Sequence, residues 1–231
     1  FLLSFILISN FSFSQETDFQ GFMNFSYSDD SGKIILEIDK LDDEFLYINS
    51  LSRGVGNNDL GLDRGQLGNS RIVYFTKRGN KILLIQPNLR YISNSSNKLE
   101  NKAVEEAFAR SVLFGFEIVE KSAESFKIDL TPFLLNDAHG VSQRLRYSNS
   151  GSYSLDKSMS AIDLQRTKAF PENIEFDVLL TFKGNPSGNL VRSVTPTATN
   201  LTVNQHHSFV KLPDNNYNKR KFDPRSGSNP F

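Results

Sequence analysis

Three histidines, His139, His206 and His207, are the residues of this chain best suited to acid–base or metal chemistry. Histidine titrates near neutral pH and is the commonest metal ligand. His206 and His207 are adjacent, and neighbours in a strand point to opposite faces, so they reach one ion only if the strand bulges. A zinc site needs three or four convergent ligands, and no His-Glu-x-x-His occurs here. The adjacent pair therefore reads as one histidine in the core and one on the surface, and His139, close after Asp137, reads as a turn residue. Cysteine is absent, which removes a thiol nucleophile, Cys-ligated zinc and a disulfide framework. No Gly-x-Ser-x-Gly elbow supports a hydrolase serine. The pairs Asp29/Asp30, Asp42/Asp43 and Glu105/Glu106 fall in turns or on a solvated helix face. No catalytic, cofactor-binding or metal-ligating residue is assigned within this segment.

The other stretch that invites chemistry is Gly54 to Gly68, with five glycines, two aspartates and one arginine between two apolar strand-like runs. A long polar loop of this kind is either functional or disordered, and Leu60, Leu62 and Leu67 argue for order. Nucleotide chemistry fails: Asp59 stands where a dinucleotide fingerprint wants its third glycine, no helix follows, and there is no Gly-Lys-Ser/Thr. A calcium loop fails too, with Gly61 out of register and no glutamate at the twelfth position. Asp59, Asp63 and Arg64 read either as a structural ion-pair and turn network or as the lining of a cleft shared with another domain.

The elements that must hold these residues are mostly strands. Met23, Phe25 and Tyr27 alternate with polar neighbours, as do Ile34, Leu36 and Ile38 after the turn at Asp29–Gly32. Glu44–Leu51 is apolar on both sides and reads as a central strand. Arg71–Thr76 and Lys81–Gln86 form the clearest hairpin, across Arg78-Gly79-Asn80, and Pro87 ends it. One amphipathic helix is predicted over about 98–114, capped by Asn97, with Val104, Ala107, Phe108, Ser111 and Val112 on one face and Gly115 at its end. Phe116–Val119 and Ser125–Asp129 form another hairpin, Asp137–Ser160 a polar stretch, and Ile174–Phe182 a long half-buried strand. Leu201–Leu212 completes the set. The expected class is α+β: mainly antiparallel sheet with hairpins and one main amphipathic helix.

Composition bounds the rest. Lys plus Arg is 26 and Asp plus Glu is 26 in 231 residues, so nothing draws the chain to nucleic acid or anionic lipid. The 20 phenylalanines, with no tryptophan, suit aromatic-packed sheet faces. Phe1–Ile8 is an apolar run, and Ser12 and Ser14 place small residues at a plausible cleavage point before Gln15, which predicts a partial signal peptide over 1–14. The run is too short for a transmembrane span, which takes about 20 residues. The expected organisation is 1–14 signal peptide, 15–213 a β-rich domain, and 214–231 a linker or the start of a downstream region, in a secreted, periplasmic or cell-surface protein.

Several motifs carry a resemblance. Asn58-Asp-Leu-Gly-Leu-Asp-Arg-Gly-Gln-Leu-Gly68, Gln86-Pro-Asn88, Phe108-Ala-Arg-Ser-Val-Leu-Phe-Gly-Phe116, Asp137-Ala-His-Gly140, Phe170-Pro-Glu-Asn173 and Leu212-Pro-Asp-Asn-Asn-Tyr217, continued by Phe222-Asp-Pro-Arg-Ser-Gly227, occur in this order. With them the chain resembles the N-terminal region of large secreted zinc-dependent metalloproteases of Bacteroidetes-type bacteria. The resemblance implies a zinc peptidase acting on protein or peptide, whose metzincin-like His-Glu-x-x-His domain lies downstream, and it carries no metal ligand onto any residue here. The expected role is a non-catalytic N-terminal domain packing on that catalytic domain, its partner in the same chain. A free-standing envelope module binding protein or glycan through an aromatic-rich sheet is the alternative. A self-contained enzyme, with a pocket gathering His139, His206 or His207 and carboxylates, is the third.

Overall fold

Apolar residues recurring at every second position make strands, and from Phe25 onward that period dominates the chain. The computed structural model describes residues 16–214 together with Asn216 and Arg225. The proposed signal peptide, and all but Asp214, Asn216 and Arg225 of the 214–231 segment, lie outside the described residues. The elements are β1 (Glu16–Phe19), β2 (Phe25–Ser28), β3 (Lys33–Ile38), β4 (Glu44–Arg53), β5 (Leu67–Arg78), β6 (Lys81–Gln86), α1 (Lys98–Ala107), β7 (Ser111–Lys121), β8 (Phe126–Asp129), α2 (Thr131–Leu134), α3 (Val141–Tyr147), β9 (Gly151–Phe170), β10 (Asn173–Pro186) and β11 (Asn200–Lys211). The strands join one antiparallel sheet in the order β1-β2-β3-β8-β7-β6-β5-β4-β11-β10-β9.

The sheet curls until its two ends meet. Phe25 of β2 lies 4.8 Å from Phe176 of β10, ring to ring, and the Phe22 N–H donates to the Phe170 carbonyl at 2.8 Å. The inward face is filled by aromatic rings, with Phe209 of β11 at the centre against Phe45, Tyr47, Phe75, Phe133 and Phe176. Burying side chains of this size is the main driving force for curling the sheet.

The expected α+β class is overturned: among the described residues eleven strands stand against helices of ten, four and seven residues, so the fold is mainly β. The predicted helix over 98–114 ends at Ala107. Asn97 does cap it, its side chain accepting the Leu99 N–H at 3.0 Å, but the helix buries no residue. From Ser111 the chain is β7, with Val112 opposite Ile85 and Phe114 opposite Leu84. Gly115, expected to stop the helix, sits in mid-strand opposite Leu83. Here Phe114, Phe116 and Ile118 obey a two-residue period that the sheet rewards with burial, and a helical overlay on the same letters finds no core to face.

β4 lies inside the sheet between β5 and β11, as expected of a central strand, with Phe45, Tyr47 and Leu51 buried on one face and Leu46 and Ile48 half-buried on the other. One further difference bears on the site. The polar stretch after Asp137 holds α3 and the first half of β9, a strand with two long bulges. From Asp177 to Glu175 β10 advances two residues while β9 advances five, Asp163 to Lys168, and Thr181 to Leu179 faces Asp156 to Ala161 in the same way. In each bulge a hydroxyl replaces the displaced backbone. Thr167 Oγ1 accepts the Asp177 N–H at 3.4 Å, and Ser160 Oγ accepts the Thr181 N–H at 3.1 Å. Each hydroxyl donates back to the carbonyl four residues earlier, Asp163 and Asp156.

Candidate functional site

The glycine loop caps one end of the curled sheet and is built into it. Val55, Leu60 and Leu62 are buried in the core, whereas Leu67 is 70% exposed at the start of β5. Asn57 caps a short 3-10 turn, Asn58–Leu60, by accepting the Asp59 N–H, and its amide donates to the Leu190 carbonyl at 3.1 Å. Gly61 ends that turn with φ +61°, a left-handed conformation that favours glycine. The loop closes on itself where the Val55 N–H donates to the Leu62 carbonyl at 2.8 Å. A Cβ on Gly54 would collide with that carbonyl and with the backbone of Asp63 and Arg64. Gly54→Ala is therefore expected to destabilise by about 1–3 kcal/mol, read from urea unfolding of both forms. An unchanged midpoint would show that the loop does not close this tightly.

The structure does not bring Asp59, Asp63 and Arg64 together. Asp59 and Arg64 are exposed, Asp63 is half-buried, and none of the three joins an ion pair among the described residues. Backbone hydrogen bonds and buried leucines, not ion pairs, hold this loop.

Beneath it lies a buried polar network that links three of the sequence motifs. Arg144 of α3 donates from Nη1 to the Gly61 carbonyl at 2.9 Å. Asp137 holds the start of α3, its two oxygens accepting the N–H groups of Val141 (2.7 Å) and Ser142 (2.9 Å). The His139 N–H donates to Gln205 Oε1, and Gln205 Nε2 donates to the Asn136 carbonyl, both at 2.8 Å. These two bonds fix the amide, so its remaining hydrogen faces His207 Nε2 at 2.9 Å. That nitrogen accepts, which puts the ring proton on Nδ1, 2.9 Å from the Tyr47 hydroxyl. The Leu134 carbonyl, 3.2 Å from Nε2, would serve the opposite tautomer.

Burial holds His207 down at about pKa 3, with the charge on His206 adding to it and the Leu134 carbonyl opposing. Burial likewise raises the Tyr47 hydroxyl, so the pair stays neutral. His139 is also lowered, by burial and then by Arg144. Its Nδ1 lies 3.3 Å from Asn49 Nδ2, while His139 Nε2 and Asn49 Oδ1 are buried without a partner among the described residues. Such groups cost about 1–3 kcal/mol each. A neutral imidazole sealed in the core exchanges no proton with a substrate. The network positions β4, β11 and the α2–α3 connection.

His206 faces the other side of the sheet. Its Nε2 donates to Glu175 Oε2 at 2.7 Å and its Nδ1 to Asp177 Oδ2 at 3.2 Å. Bonds to Asp177 and Glu175 raise its pKa to about 9, against the opposing effect of burial. Burial works against the charge on both carboxylates, but His206 and further donors outweigh it and hold them below their usual range. Those donors are Ser208 and Asn173 for Glu175, and Ser52 and Asn204 for Asp177. Arg166, carried over Asp177 by the β9 bulge, adds a contact of 3.6 Å. An imidazolium donating from both nitrogens has no lone pair for a metal or for a substrate proton.

The three histidines are thus not gathered with carboxylates in one pocket: Gln205 joins His139 to His207 inside, and His206 is outside. Among the described residues no group of three or more His, Asp or Glu is placed to hold a metal ion. Sequence reading missed Tyr47, Asn49 and Gln205. The signal was present in β11, where Gln205 and His207 occupy the same alternating face as Leu201, Val203 and Phe209.

Comparison with known proteins returns one family. A model described as Domain of unknown function (DUF5117) matches residues 65–229, from the end of the glycine loop through all of β5–β11. No curated protein matches the chain, and no solved structure does.

Proposed function

The chain belongs to the family described as domain of unknown function DUF5117, and we propose that it is a non-catalytic N-terminal domain of an exported zinc metallopeptidase. It packs on the catalytic domain and supports it. The zinc and its His-Glu-x-x-His ligands belong to that downstream domain, with protein or peptide as substrate.

The observation that carries this reading is an apolar patch that holds six of the twelve large hydrophobic side chains exposed among the described residues. Leu89, Tyr91, Ile92, Leu99, Phe108 and Val112 are exposed, and all lie on α1 or the segments flanking it. Helix α1 buries none of its own residues, although an amphipathic helix at a domain surface needs something to cover its apolar side. Tyr91 and Phe108 stack at 4.0 Å to make a flat aromatic face beside it. The order of the sequence motifs supports the same reading. Among the described residues no helix is long and apolar enough to cross a membrane. The rival, an envelope module recognising ligands through an aromatic-rich sheet, has less support because most of the sheet's rings pack inward.

The test is the reading frame beyond the codon for Phe231 and the protein it encodes. A His-Glu-x-x-His is expected within the next few hundred residues. In that longer protein, Leu99→Asp with Phe108→Asp is expected to lower peptidase activity roughly tenfold or more, about 1.4 kcal/mol of lost support. A frame that closes without the motif, or a double variant as active as wild type, would end the proposal.

A further inference from the structure

Strand β6 stops before Pro87, and that stop leaves a slot in the sheet. β5 runs from Leu67 to Arg78, yet β6 pairs only with Tyr74–Arg78. On its other side β5 is covered by β4 from Leu67 to Tyr74. Among the described residues no strand pairs with Leu67–Val73 on the β6 side. Pro87 cannot donate to a ladder, and Asn88 turns the chain away, its Oδ1 accepting the Arg90 N–H at 3.1 Å. Asn88 also ties this turn to the α1–β7 joint, donating to the Ala109 carbonyl at 3.2 Å. The result is a groove of about 430 Å³ where a strand continuing β6 would lie, between Ser70–Ile72 on one wall and Ala109 and Ser111 on the other.

The backbone along that wall is in phase to receive a strand. The two-residue turn at Gly79-Asn80, with φ +60° at Gly79, joins Arg78 and Lys81 as a hydrogen-bonded pair. Bonded pairs recur every second residue, at Thr76 and Tyr74, and the same phase directs the N–H and C=O of Ile72 and Ser70 into the slot. The Phe75 carbonyl, which accepts the Asp42 N–H at 2.7 Å, shows the odd-numbered set turned the other way. The outermost strands offer no comparable edge: β1 has four residues and β9 is broken by its two bulges.

Charge selects the occupant. Arg71 and Arg90 line the groove, no carboxylate does, and neither arginine joins an ion pair among the described residues. Arg71 sits 5.9 Å over the Tyr47 ring and Arg90 5.8 Å over Tyr91, which orients both without neutralising them. We propose that the slot binds an extended peptide bearing acidic side chains, which adds to β5 as an extra strand while its carboxylates meet Arg71 and Arg90. The inference does not rest on the metallopeptidase reading, and Leu89 is common to this groove and to the apolar surface assigned there to the catalytic domain.

The test uses the whole chain and a capped, fluorescein-labelled hexapeptide of alternating valine and glutamate, followed by anisotropy at low salt. Saturable binding is expected, with the valine–lysine counterpart failing to bind. Ser70→Pro removes one donor aimed at the slot and spares the ladder to β4, because that N–H faces away from it. It is expected to weaken binding at least tenfold, and Arg90→Glu, on an exposed side chain, to do the same. Should Ser70→Pro unfold, Arg90→Glu decides alone. No saturable binding, equal binding of the lysine peptide, or wild-type affinity in Arg90→Glu would each overturn the proposal.

Discussion

Replacing His206 with glutamine is expected to cost about 3 kcal/mol or more at pH 7 and to erase the loss of stability that the wild type shows at alkaline pH. Asp177 has a side chain that is 0% exposed, and His206 is its closest cationic partner, at 3.2 Å against 3.6 Å for Arg166. Removing the imidazolium leaves Asp177 with Asn204, Ser52 and the more distant Arg166, and leaves Glu175 with Ser208 and Asn173. His206 titrates at about 9 in the fold and near 6.5 in the unfolded chain. Between those values the folded state holds a proton that the unfolded state has lost. Its contribution is therefore complete below about pH 6.5 and disappears as pH rises through 9, a fall on the order of 3 kcal/mol.

His207, one residue along, gives the opposite slope. Its folded value of about 3 means that below about pH 6.5 only the unfolded chain takes up the proton, so stability falls as the solution is acidified from there. Below about pH 4 the depressed Glu175 and Asp177 add to the same fall. Urea unfolding across pH 4–10 should trace a dome with its top near pH 6.5. His206→Gln should flatten only the alkaline side. A variant with an unchanged alkaline limb would show that His206 is not charged between its two carboxylates.

The same two residues show what could be read before the fold was known. Strand periodicity places neighbouring side chains on opposite faces, and His206 and His207 are so placed; no structure is needed for that step. Their partners were not legible. Glu175 and Asp177 are recognisable as the polar face of β10, but their pairing with His206 depends on a strand register 29 to 31 residues away. β9 was missed because its edge position and two bulges destroy the alternation that identifies a strand, and its bulge hydroxyls look like ordinary loop serine and threonine. The helix error has the reverse cause: a pattern near Phe108–Phe116 satisfies two periods at once, and only the available partner, β6, decides between them. Gln205 was overlooked because a polar side chain on an apolar face draws attention only when its buried partners are known.

Leu62→Ala is expected to destabilise the chain by about 2–5 kcal/mol, whereas Asp63→Ala and Arg64→Ala, its neighbours, should each stay within about 0.5 kcal/mol. Leu62 is 0% exposed, and its carbonyl closes the glycine loop on Val55. Truncating it leaves a cavity beneath a loop that Gly54 packs too tightly to collapse. Asp63 and Arg64 make no ion pair among the described residues, so their removal strands no buried charge. Chemical unfolding of the three variants separates an anchored loop from a loosely draped one. A loss under 1 kcal/mol for Leu62→Ala, or a loss above it for either charge variant, would reverse the assignment. The expected split has a functional meaning. Leucines spend themselves inward on the fold, and the charged residues on the loop's outer side remain for whatever packs against this end of the sheet. On the proposed metallopeptidase reading, Asp63→Ala with Arg64→Ala in the longer protein should then alter peptidase activity at unchanged stability of this domain. Unchanged activity there would remove the glycine loop from the interdomain contact.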